Sequence, residues 1–138
     1  MSRSRLGRSQ TCGEPQARAK LARAKTFLET AELIQDETEP DFISVAAALA
    51  VLAGIAAADA ACCHALGRRS RSDNHHDAEA LIETITPGGK SAASALRRLL
   101  NLKDEAHYGF YAVGRPSLIA AMRQARTLIE FAGDVARR

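Results

Sequence analysis

The sequence predicts an all-α fold, a five-helix up-and-down bundle, and three observations carry that expectation. Apolar residues make up 46% of the 138-residue chain but aromatic residues only 4%. Such an alanine-led composition suits helices packed closely on small side chains better than sheets of β-branched and aromatic residues. Apolar positions recur three and four apart in several long segments. No segment reads as a credible strand, and neither an internal repeat nor a sustained heptad is visible.

At this length one core and one domain are expected. The boundaries expected are a flexible basic tail over 1–14 and a single helical domain over 15–138. The first helix lies between Pro15 and Gln35, where Ala17, Leu21, Ala24, Leu28 and Ala31 form an apolar stripe among Arg18, Lys20, Arg23, Lys25 and Glu29. The acidic run QDETEPD ends it, and Asp41 is placed to cap a second helix that runs to about Gly67. That helix is apolar nearly all round, so it should be central. GRRSRSDN, residues 67–74, has turn composition and three arginines. A short third helix through HHDAEALIETI stops at TPGGK. A fourth begins near Ser91 and ends at Gly109 or the VGRP turn. Pro116 suits the start of a fifth, striped by Leu118, Met122, Ala125, Ile129 and Ala132.

The net charge of +3 is uneven, because Arg3, Arg5 and Arg8 sit in thirteen residues without an acid. Those arginines could meet nucleic acid phosphates, although a solvated tail is the plainer reading. Cys12, Cys62 and Cys63 do not read as a secreted disulfide framework, since two are adjacent in an alanine run and the third lies in the tail. No apolar segment of signal-peptide type follows the N-terminal arginines, so a cytoplasmic protein is expected. Residues 42–66 are long enough to span a bilayer, but Asp59 and His64 interrupt them and alanine inserts weakly, so a buried helix and no membrane partner are expected.

Chemistry is best sought in LLNLKDEAHYGFYAVG, residues 99–114, which holds three of the six aromatic residues, Tyr108, Phe110 and Tyr111. Lys103 and His107 are four apart and therefore share a helical face, along the apolar stripe of Leu96, Leu99, Ala106 and Phe110. A neutral imidazole can take the proton of a ribose 2′-hydroxyl while a fixed cation stabilises charge developing on the phosphoryl oxygens. That chemistry is metal-independent phosphodiester cleavage. A solvated or snorkelling Lys and His is the plainer alternative.

The order of elements, with LKDEAHYG before a long amphipathic last helix, resembles the HEPN superfamily of small helical nucleotide- and RNA-associated domains over about residues 17–136. The resemblance implies a homodimer in a toxin–antitoxin or defence system that acts on RNA as an endoribonuclease. It assigns Lys103 to the family's phosphate-stabilising Arg, Asp104 to its polar residue and His107 to its base or acid. Two departures stand out: Lys replaces Arg, losing the bidentate fork that suits phosphate, and only three residues separate Lys103 from His107. Some members carry, two positions after the His, a tyrosine that a partner nucleotidyltransferase modifies, so a cognate antitoxin or nucleotidyltransferase is an implied partner; here Tyr108 follows His107 directly and Tyr111 lies four beyond it, and neither matches that position fully. The alternatives are a non-catalytic module with a degenerate site that binds nucleic acid or protein, and an adaptor that binds protein only.

Other constellations are weaker. Arg68, Arg69 and Arg71 with His75 and His76 could contact phosphates, and a packing like that of the family would put them near the Lys103–His107 edge. CCH at residues 62–64 with the histidine pair at 75 and 76 suggests zinc. Adjacent helical cysteines diverge by about 100°, however, so no metal is expected. Asp59 is expected to pair with Lys103, Arg97 or Arg98. No P-loop, dinucleotide fingerprint or nucleophile motif is present, and no cofactor is expected.

Overall fold

The computed structural model describes residues 9–71, 75–108 and 113–138, with the backbone alone for His75 and residues 104–108. Among them are five helices: α1 (Glu14–Ile34), α2 (Pro40–Leu66), α3 (His75–Glu83), α4 (Gly89–Tyr108) and α5 (Arg115–Ala136). The helical class and the order of the five helices agree with the sequence expectation. Two short strands do not, for β1 (Ser9–Thr11) pairs antiparallel with β2 (Arg68–Ser70), placing Gln10 opposite Arg69. Three residues are too few to show a strand alternation, and such a pair is stable only when anchored elsewhere.

Helix α2 is the centre of the molecule. Its buried positions include Ala46, Ala47, Ala50, Ala53, Gly54, Ala57, Ala60 and Ala61, and these occur around the helix in place of a single stripe. Small side chains let neighbouring axes approach closely. The bulk is supplied by the neighbours: the largest fully buried side chains are Leu81, Ile82, Leu96, Leu99, Leu118, Met122 and Leu128, all from α3, α4 and α5. Helix α1 adds Ala17, Ala24, Leu28 and Ala31 from the stripe the sequence displays. Among the described residues α2 alone is long and apolar enough to cross a membrane, and half of its most apolar stretch is buried inside the protein.

The start of α2 differs from the expected cap. Glu39 holds the extended cap position and Pro40 opens the helix, so Asp41 falls in the first turn. Proline costs nothing there because the first helical N–H groups have no carbonyl to meet. The far end matches its sequence closely. Gly67 adopts φ +70°, a left-handed conformation that closes α2, and its N–H donates to Cys63 O at 3.2 Å.

That left-handed turn sends the chain into β2 and points a carbonyl at β1. Cys12 N–H donates to Gly67 O at 3.0 Å, and Cys12 is bonded to Cys63. The cysteine expectation is therefore corrected: two of the three thiols form a disulfide. The tail expected through residue 14 is likewise held from Ser9 onward, whereas Arg3, Arg5 and Arg8 lie outside the described residues. The reason is positional. Cys63 faces the small cluster of Cys12 and Ala17, while Cys62, turned about 100° away, enters the main core.

At the opposite end of α2, Val113 N–H donates to Ser44 Oγ at 3.1 Å. Arg115 then donates from Nη1 to Gln35 O at 2.6 Å and from Nη2 to Glu37 O at 2.8 Å, tying the start of α5 to the α1–α2 connection. Together these bonds place Val113 and the start of α5 beside the N-terminal end of α2.

Three outcomes test this packing. An alanine Cβ at Gly54 would overlap Leu99 Cδ2 and lie 3.2 Å from Leu128 Cδ1. Overpacking costs ~1–3 kcal/mol and the better helix propensity of alanine returns up to about 1. Gly54→Ala is expected to lower stability by ~1 kcal/mol, read from the urea midpoint. The disulfide closes a separation of 51 residues, for which loop entropy gives a contribution of ~4 kcal/mol as an upper value. Cys12→Ser and reduction of the wild type should both lower the melting temperature, and reductant should not shift the variant further. Burial pushes the Cys62 thiol up to about 12, helped by Asp59 and opposed by Arg68. Below that pH the native thiol stays protonated, so Cys62 should resist alkylation at pH 9 until denaturant is added. Because the unfolded thiol ionises near 9.0, the stability this group contributes should fall as pH rises from about 9 towards 12.

Candidate nucleic-acid interface

The basic segment after α2 is fixed in place by its surroundings. In β2, Arg69 donates from Nη2 to Gln10 Oε1 at 2.9 Å and from Nη1 to Ser70 O at 3.2 Å. Its Nη1 also lies 3.9 Å from Asp59 Oδ2, and Lys20 Nζ approaches the same oxygen at 3.4 Å. Asp59 is only 14% exposed, so these cations offset the cost of burying its charge. Lys20 and Arg69 thus meet this carboxylate, for which the sequence offered Lys103, Arg97 or Arg98. Arg97 instead faces α3, with Nε 3.4 Å from Glu79 Oε1.

Among the described residues Glu79 is the one buried charged residue. Its Oε2 lies 2.6 Å from His76 Nδ1, a hydrogen bond in which the ring N–H donates. Oε1 has the Arg97 ion contact but no well-aligned hydrogen bond among the described residues. This His76–Glu79–Arg97 group joins the start of α3 to α4. Beside it, a cleft of about 170 Å³ opens between α2, β2, α3 and α4. Arg69, Ser70, Arg71 and Asp59 form its polar lining, over Ile55, Ala58, Ala78 and Leu96.

Of the expected phosphate contacts, Arg69 and Arg71 therefore line one cleft, and Arg68 precedes them in the same strand. The Arg68 guanidinium is close enough to Cys62 to favour its thiolate, against the larger effect of burial. The His75 side chain lies outside the described residues.

The second expected site is elsewhere. Helix α4 continues unbroken to Tyr108, so positions 103 and 107 share a face, and Lys103 is partly buried. The side chains of Asp104, His107 and Tyr108, and Tyr111 altogether, lie outside the described residues. Leu96 meets the cleft beside Ala58 and Asp59, Leu99 lies against Gly54, and Val113 bonds to Ser44. Helix α4 thus runs antiparallel to α2. Eleven residues, about 16 Å of helical rise, separate Leu96 from position 107. The expectation that the arginine segment adjoins the Lys103–His107 edge rested on a family-like packing; within the chain position 103 stands seven residues, about 10 Å of helical rise, beyond Leu96, and the His107 side chain lies outside the described residues.

Among the described residues no cluster of three or more histidine, cysteine or carboxylate groups could hold a metal ion. Cys63 is bonded to Cys12, and Cys62 points into the core. His64, the third member of that run, buries Nε2 without a hydrogen-bond partner among the described residues. The sequence pointed to the arginines through their density, but it gave no signal for Lys20 and Gln10. Both lie far from β2 in the chain and become its neighbours only when α1 packs on α2 and Cys12 joins Cys63. Comparison with protein-family models and with curated proteins found no match for this chain.

Proposed function

We propose that this protein is a HEPN-like helical domain that binds RNA, through the cationic end of α2. The observation that carries the proposal is the convergence of Lys20 and Arg69 on the partly buried carboxylate of Asp59, with Arg71 lining the same cleft and Arg68 adjoining in β2. Cations from α1 and the β2 segment stand there as neighbours, in excess of the acid they meet. A fixed surplus of positive charge attracts phosphates and releases their counterions, which makes affinity fall steeply with salt. Because the arginine-bearing strand pairs with β1, which the Cys12–Cys63 bond ties to α2, this charge is pre-organised, and binding it costs little ordering.

A second reading has its own support in the continuity of α4 through Tyr108. That continuity keeps positions 103 and 107 on one face, as a metal-independent endoribonuclease with Lys103, Asp104 and His107 requires. In that reading His107 removes the 2′-hydroxyl proton, the 2′-oxygen attacks phosphorus, and the departing 5′-oxygen takes up a proton. Lys103 stabilises the phosphoryl charge and Asp104 orients the pair. A homodimer in a toxin–antitoxin or defence setting, with a cognate antitoxin or nucleotidyltransferase as partner, is the biological context this reading carries.

Binding and cleavage separate in one experiment on a mixed RNA pool in the presence of chelator. The binding reading expects retention of RNA that weakens with salt, and Arg71→Ala should reduce the slope of log affinity against log salt by ~0.7 if one phosphate contact is lost. The ribonuclease reading expects cleavage that His107→Ala abolishes without changing retention. The absence of both retention at low salt and cleavage would refute both readings and favour a protein-only adaptor.

A further inference from the structure

We infer that the cleft beside β2 is a subsite for one unstacked nucleobase of a single-stranded RNA, with Arg69 as its stacking plane and Arg71 as the contact to the adjoining phosphate. This rests on the RNA-binding reading and adds the class of substrate and the way it is held. The first observation is size. At about 170 Å³ the cleft is smaller than the ~300–1,000 Å³ typical of sites for whole small-molecule ligands, so it suits a single planar ring and not an entire dinucleotide.

The second observation is composition. The cleft is bounded by Ile55, Ala58, Ala78 and Leu96, which offer apolar area to a ring face, while Arg69 and Arg71 border the same space. An RNA sequence is read most readily where bases are splayed from a single strand and stacked on aromatic rings or on guanidinium planes. Among the described residues none that lines the cleft is aromatic, and the Arg69 guanidinium offers a plane there.

The third observation is the state of the two arginines. Arg69 is fixed by Gln10 Oε1, by the Ser70 carbonyl and by Asp59, so its plane is set before a ligand arrives. A guanidinium whose N–H edge is engaged by the protein still presents its face. Arg71, by contrast, is exposed at the cleft margin, where a charged head can follow a flexible phosphate. One arginine is thus built as a surface and the other as a counter-charge.

Fluorescence anisotropy with a labelled seven-nucleotide single-stranded RNA, and with the same strands each carrying one abasic position, tests the assignment on the full oxidised chain. Wild type should bind the best-placed abasic strand about five- to tenfold more weakly than the intact strand, the lower end of what loss of one stacked base costs. Ala78→Phe, which fills the cleft, and Arg69→Lys, which keeps the charge but removes the plane, should each weaken the intact strand by a similar factor and nearly abolish the difference between strands. Arg71→Ala should weaken intact and abasic strands alike. Thermal melts identify a variant that fails to fold, and Arg69→Lys keeps the test decisive if Ala78→Phe does so. Equal binding of intact and every abasic strand by wild type, or full affinity in folded Arg69→Lys, overturns the base subsite while leaving phosphate binding standing. No binding of any strand at low salt overturns the RNA-binding reading itself.

Discussion

The rest of the structure depends on how closely other helices can approach α2. Alanine and glycine surround that helix, so its axis is within reach of α1, α4 and α5 at once, and their leucines fill the space that its own side chains leave. Gly54 against Leu99 and Leu128 shows the constraint at its tightest. A larger residue there pushes on two helices together, because interiors are packed near crystalline density and transmit a displacement. The same smallness makes α2 unsuited to define an edge or a pocket by itself. Each feature of chemical interest is supplied by what packs on it.

The C-terminal end of α2 illustrates this. Gly67 turns the chain, Cys63 binds Cys12, and the two together bring β1 onto β2. Arg69 acquires Gln10 as a partner by that route, and Asp59 acquires Lys20 through the packing of α1. A three-residue strand pair has little stability alone, but here its register is fixed covalently at one side. The basic segment thereby becomes a surface of defined shape. Charge density alone attracts polyanions, whereas a fixed arginine plane beside apolar area can also discriminate among them.

The N-terminal end of α2 is organised by different bonds, those of Ser44 with Val113 and of Arg115 with the α1–α2 connection. The antiparallel course of α4 places its last turn towards this end. The resemblance of LKDEAHYG to a ribonuclease motif concerns this end, and the arginine cleft belongs to the other. The two proposed functions therefore make separable demands on the protein. A strand long enough to reach both ends would have to run along α4, and a second copy of the chain offers another way of joining them.

The sequence by itself determined the helical class, the order of five helices, the central place of α2 and the stripes of α1 and α5, because each follows from local periodicity and composition. It also singled out Arg68, Arg69, Arg71, Lys103 and His107, since unusual residue types in a plain helical vocabulary are visible without coordinates. Pro40, in contrast, shows how a local signal can mislead: Asp41 is a good cap residue, but proline needs no cap bond and takes the first helical position. The tertiary structure alone decided the Cys12–Cys63 bond, the β1–β2 pairing and the partners of Asp59 and Arg97. These join residues tens of positions apart, where neither helical period nor cysteine spacing carries information. Which of two adjacent cysteines faces Cys12 depends on a rotation of about 100°, and only the packing of the whole helix sets that rotation.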